Sequence, residues 1–165
     1  MKRLILLSTA ALTIAASTIR ADEGVRVPVI DHAVTVKECS ECHLAFPPQM
    51  LPARSWDKLM GDLANHFGEN ASLDQATRDD IAAYLAAHAA DAPATKGGVR
   101  FIKGLAADAV PLRITETPYW KREHDEIADS RFQDPKIKSK ANCIACHRTA
   151  DKGEFLEEDD GFSTH

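Results

Sequence analysis

The chain reads Cys39-Ser40-Glu41-Cys42-His43 in its first half and Cys143-Ile144-Ala145-Cys146-His147 near its end, and these stretches use every cysteine it has. Cysteines three positions apart lie on one side of a helical turn. Both thiols of a pair can then form thioethers to the vinyl groups of one haem, and the next histidine falls under the ring as an iron ligand. Cys39, Cys42, Cys143 and Cys146 are therefore expected to hold two covalently bound haems c, with His43 and His147 as proximal iron ligands. Two other chemistries use the same cysteines: one tetrahedral zinc held by all four, or two disulfides of thioredoxin type. Neither accounts for a histidine directly after each pair. Nor does a strand-rich pattern surround them from which a zinc ribbon or a thioredoxin sheet could be built.

The N-terminus has the form of an export signal. Lys2 and Arg3 precede an apolar and small-residue run over 4–17, and a cleavage site is expected after Ala21 or a few residues earlier. We therefore expect residues 1–21 to be a signal peptide and the mature protein to be periplasmic, with an uncleaved anchor as the alternative. The run is short for a membrane span and nothing else in the chain would serve as one, so the protein is peripheral to the membrane at most.

Removing residues 1–21 takes away Lys2, Arg3 and Arg20 and no acid, which leaves 17 basic against 25 acidic side chains and a formal charge of −8. That balance argues against nucleic acid or an anionic membrane as a partner, and for docking to basic proteins. The 144 remaining residues carry only 10 aromatic side chains, so protein alone would make a thin core. Two haems, buried as large apolar plates, would make up the deficit.

The patterning is helical throughout, and an all-α fold is expected. Trp56, Leu59, Met60, Leu63 and Phe67 recur at helical spacing, which predicts a helix over 54–66, approached through Pro47, Pro48 and Pro52 and stopped by Gly68 and Asn70. Ser72 with Gln75 forms a capping-box signature, with Asp74 as a competing cap, for a helix running to about His88 along Ile81, Tyr84 and Leu85. Small residues, Pro93 and Gly97-Gly98 mark a linker, and residues 99–116 read as mostly irregular. Thr117-Pro118 opens a helix through about Asp129. After the break at Asp134-Pro135 a short helix is expected to carry the second motif. The expected organisation is a first haem module at 22–92, a linker at 93–98, and a second haem module at 99–165 with an acidic tail. In the first half the motif precedes two helices, the order of a class I cytochrome; in the second the helices come first.

The sixth iron ligands decide what such haems can do. Beyond Met1 the only methionines are Met50 and Met60, and none follows residue 99. For the second haem the candidates in its own half are His124 and the terminal His165. His124 lies on an apolar helix face with Trp120 and Ile127, where a lone imidazole would cost stability without a partner. For the first haem His66, on the stripe of Trp56, Leu59 and Leu63, competes with Met60, and Met50, His88 and His32 are further options. For His32 and His88 a capping or half-exposed role is the better reading.

The first motif, the stretch 47–56, His66-Phe67-Gly68-Glu69-Asn70-Ala71-Ser72-Leu73, Arg113-Ile114-Thr115, Pro118, Trp120, His124 and the second motif lie within 36–155. Together these residues resemble the dihaem cytochrome c family of Gram-negative bacteria. The resemblance implies a mostly helical protein with two low-potential haems of two histidine ligands each, and it favours His66 and His124 as the distal pair. It also implies electron delivery to a small monohaem c-type protein, with electrons supplied by a membrane cytochrome b. Six-coordinate irons suit electron transfer, because little rearrangement accompanies oxidation and no position is open to substrate. A dihaem peroxidase or a gas-binding haem protein would instead need one open iron. The chain is short for such an enzyme, and no acid–base group stands out in it.

Overall fold

The computed structural model describes residues 24–156. The expected signal peptide, the tail beyond Leu156 and His165 lie outside the described residues. Five helices, α1 (Ala33–Cys39), α2 (Ala53–Met60), α3 (Gln75–Ala87), α4 (Val99–Ile102) and α5 (Pro118–Glu123), are joined by turns, many of them single 3₁₀ turns. The expectation of a mostly helical protein holds. Among the described residues no helix is long and apolar enough to cross a membrane.

Pro52 sits in extended conformation as the N-cap of α2, and the Trp56 indole N–H donates to the Pro48 carbonyl at 2.8 Å, tying the helix to the proline-rich loop before it. This helix ends at Met60, well short of His66. Gly61 is its C-cap, Asp62 is non-helical, and a separate 3₁₀ turn covers Leu63–Asn65. The apolar periodicity outlasts the helix because Leu63 still packs against the same core as Leu59 and Met60. Spacing records burial, which survives a break in the backbone.

Asp74, rather than Ser72, caps α3: its carboxylate accepts from the Thr77 backbone N–H at 3.0 Å and from the Thr77 hydroxyl at 2.7 Å. Ile81 and Leu85 then pack with Leu51, Trp56, Met60 and Ala89 into one core. The stretch after α3 is pinned to this core. Ala89 and Ala90 are buried, Ala90 N donates to Leu51 O at 2.9 Å, and the Asp91 carboxylate accepts from Ala53 N and Arg54. Gly98 passes so close to Ala90 that a Cβ there would meet its carbonyl at 2.5 Å. Arg54 also reaches across to the Ala106 and Ala109 carbonyls.

Thr117 caps α5 as expected, accepting from Trp120 N at 3.2 Å, with Pro118 in the first turn. The helix closes at Glu123 with His124 as C-cap, so its expected continuation over 124–129 is lost to irregular turns, and a 3₁₀ turn follows at Asp129–Gln133. The second motif begins in another, Cys143–Ala145.

An antiparallel pairing, which the helical pattern does not announce, joins the two ends of the described chain. Strand β1 (Val25–Arg26) pairs with β2 (Glu154–Phe155), Val25 opposite Phe155 and Arg26 opposite Glu154. Val25, Val27, Met50, Phe101, Ala150 and Phe155 form a second core, and Ile114 packs against both.

Candidate haem sites

Helix α1 ends on Cys39, so the first motif leaves the helix at once and Cys42 and His43 lie in the turn beyond it. The His43 Nδ1–H donates to the Leu44 carbonyl at 2.7 Å, and its ring rests 5.0 Å from Phe46. His66 follows the 3₁₀ turn after α2. Its ring centre stands 6.0 Å from that of His43, with the ring planes 21° apart. His66 Nδ1 is buried and has no hydrogen-bond partner.

At the second motif His147 donates from Nδ1 to the Leu156 carbonyl at 3.0 Å, and Phe155 lies edge-on 5.7 Å away. His124 donates from Nδ1 to the Trp120 carbonyl at 2.9 Å, taking up one of the carbonyls left open at the end of α5, and stacks on the Trp120 ring at 4.3 Å. The ring centres of His124 and His147 are 6.2 Å apart, with planes at 85°.

These separations bear on the chemistry. A metal–imidazole bond is about 2 Å long and the ring centre lies roughly 1 Å beyond the nitrogen, so two imidazoles on opposite sides of one metal ion have centres roughly 6 Å apart. Both pairs have that spacing. In three of the four histidines a backbone carbonyl takes the Nδ1 proton, which leaves Nε2 with its lone pair available to a metal. Burial holds His66 below its ordinary pKa, helped by the neighbouring His43 and Arg113. Burial likewise lowers His124, against the opposing effect of its bond to Trp120. Both therefore favour the neutral form that binds metals. The donor set fits two haems.

The alternatives for the cysteines fare differently. Among the described residues no group of three or more histidines, cysteines and acids gathers into a metal cage. Burial pushes the Cys143 thiol up to about 11 and raises that of Cys39, which disfavours the thiolate that disulfide exchange requires.

Met60 lies buried in the core of α2 and α3, and Met50 in the second core. The half-buried His32 bonds Thr35, and the exposed His88 bonds the Tyr84 carbonyl; both rings pack on Tyr84, on the α1–α3 side. Sequence reasoning passes over two contributors, the Leu156 carbonyl that anchors His147 and the Arg113 guanidinium stacked on Phe67 beside His66. A backbone carbonyl leaves no signature in a sequence. Arg113 shows there only as part of the block Arg113-Ile114-Thr115, with no assigned task.

A largely helical chain with two Cys-x-x-Cys-His motifs, each with a second histidine set opposite the first, defines a dihaem c-type cytochrome. The family model described as dihaem cytochrome c matches residues 35–155. Among solved structures, a dihaem cytochrome c from Rhodobacter sphaeroides is 46% identical, with a TM-score of 0.70 over 78% of this chain and 99% of that one. A dihaem cytochrome c from Shewanella baltica OS155 is 37% identical, with a TM-score of 0.58 over 73% of this chain and 84% of that one. No curated protein sequence matches. The chain belongs to the dihaem cytochrome c family, and with that membership come two covalently attached haems c, for which its four cysteines supply the thiols.

Proposed function

We propose that this protein is an exported electron carrier in which each haem iron has two histidine ligands, His43 with His66 and His147 with His124. The observation that carries this reading is the spacing of the two imidazole pairs, 6.0 and 6.2 Å between ring centres, at the ends of the two attachment motifs. The haems supply one-electron redox chemistry; the protein supplies their ligands, their enclosure and their approach surfaces. Histidines bound by both faces of the iron leave no site for substrate, which favours electron transfer over peroxidase or gas-binding chemistry. The Nδ1–H bonds of His43, His124 and His147 add electron density to the ligating nitrogen and so favour the ferric state, as a low-potential carrier requires. The partners proposed are a membrane cytochrome b as donor and a small monohaem c-type protein as acceptor. The signal-like N-terminus and the acidic balance of the chain support a carrier that works outside the cytoplasm and meets basic surfaces.

Electron paramagnetic resonance of the oxidised protein tests the ligation directly. Imidazole planes 21° apart give a rhombic low-spin signal, and planes at 85° give a strongly anisotropic one. Both signals are expected, with no high-spin component, and the ferrous protein should bind no carbon monoxide. A high-spin signal, or rapid carbon monoxide binding, would return the protein to the enzyme or gas-binding classes.

A further inference from the structure

His66 differs from the other three histidines in having nothing to hold its ring by hydrogen bonding. It opens a tight turn. Glu69 N donates to His66 O at 3.1 Å, and the two residues between, Phe67 and Gly68, both have positive φ, +55° and +100°. Turns of this kind favour asparagine or glycine at the first of those positions, because a side chain there crowds its own backbone. Phe67 nevertheless occupies it, and no core encloses its ring, which is 44% exposed. What it does have is Arg113, whose guanidinium carbon lies 3.8 Å from the ring centre, while the His66 ring packs edge-on 4.9 Å away on the same phenyl group. Arg113 comes from the half of the chain that carries the other motif, and its acidic neighbour Glu116 is 3.9 Å away, at the outer limit of an ion pair.

We propose that Arg113 is a positioning residue for the first haem: it clamps Phe67 in its left-handed conformation, and through that ring it sets the angle and reach of His66. Its charge has a second effect at the same place. A fixed cation near an iron favours the state with one positive charge fewer, so Arg113 raises the potential of the first haem relative to the same site without it. The inference rests on His66 being an iron ligand, as proposed above.

The test is a redox titration of the holoprotein followed by electron paramagnetic resonance, which tracks the two haems separately through their different ring-plane angles. Arg113→Leu should move the midpoint of the rhombic, first-haem signal to lower potential and broaden that signal, as His66 samples more orientations. The anisotropic second-haem signal should stay where it is. Arg113→Lys keeps the charge but loses the planar stacking, so it should restore the midpoint while leaving the signal broadened. Carbon monoxide, which the wild type should not bind, should bind slowly to one ferrous haem in both variants. A first-haem midpoint and line shape unchanged in Arg113→Leu, or an equal shift of both haems, would overturn the proposal while leaving two-histidine ligation intact. Absence of a two-histidine signal from the wild type itself would overturn both.

Discussion

Two histidines of this chain, His88 and His124, are equivalent in local terms. Each is the C-cap of its helix and donates from Nδ1 to the carbonyl four residues back, at 2.8 and 2.9 Å. Each also packs on an aromatic ring one turn earlier, Tyr84 or Trp120. What separates them is what lies across from the free nitrogen. His124 faces His147 at 6.2 Å, whereas His88 is exposed on the side of α3 shared with His32 and Asp31. No local pattern in a sequence can report that difference, which is why His43 and His147 stand out by their motifs whereas His66 and His124 are candidates only by burial and resemblance. His124→Met and His66→Met should each raise the potential of one haem, since thioether sulfur favours ferrous iron more than imidazole does. His88→Ala should leave both potentials and both spectra at wild-type values. An unchanged pair of potentials in His124→Met would make His124 a helix cap and nothing more.

At the level of elements, the starts of α2, α3 and α5 and the end of α3 were readable, whereas the ends of α2 and α5 and the presence of α1 and α4 were not. Asp74 and Thr117 carry their capping function in a side chain, and both cap as the residue types predict. The ends at Met60 and Glu123 have no such side-chain signal; beyond them the chain leaves the helix, and the His66 and His124 rings lie 6.0 and 6.2 Å from those of His43 and His147. Thr117 is buried, accepts from Trp120 N and donates to the Ile114 carbonyl at 2.8 Å. Thr117→Ala should cost about 1–2 kcal/mol of stability. Because α5 ends directly on His124, the loss should show first in the second haem, as earlier loss of its two-histidine spectrum on heating. Gly153 presents a harder constraint. It has φ +75°, and a Cβ there would collide with the Val27 carbonyl, whose own amide donates to Gly153 O at 2.8 Å. Gly153→Ala should therefore cost on the order of 1–3 kcal/mol and disturb the His147 side alone. An unaltered second-haem spectrum at the wild-type melting temperature would show that the β1–β2 pairing does not support that site.

The whole molecule was partly visible in advance. Two motifs, a thin aromatic complement and helical periodicity were enough to expect a small helical protein organised around haems. How the halves meet was not, because the joints are made by residues with no periodic signal: Arg54 on the Ala106 and Ala109 carbonyls, Ile114 between the two cores, and Arg113 on Phe67. Charge acts at this scale too. An acidic carrier should be steered towards a basic partner, and the acids of residues 154–160 lie close in sequence to the second motif. Electron transfer to a basic redox protein should slow as salt shortens the Debye length from roughly 30 Å at 0.01 M to about 8 Å at physiological ionic strength. Truncation after Glu157 removes the outer acids while keeping β2 and the Leu156 amide carbonyl on His147, and it should flatten that salt dependence. An equal slope in the shortened protein would mean the tail takes no part in docking.

The pairing of Val25–Arg26 with Glu154–Phe155 sets the true extent of the second haem site. A fragment beginning at residue 99 would carry both thiols, His124 and His147, and would count as complete by its motif. It would lack the strand that holds β2 and the Val25 and Val27 side chains that bury Phe155. A fragment ending soon after the second motif would lack the Leu156 carbonyl that orients His147. The smallest piece of this protein able to present that site intact is therefore discontinuous, drawn from both ends of the described residues, and neither Val25–Val27 nor Glu154–Leu156 can be removed from it.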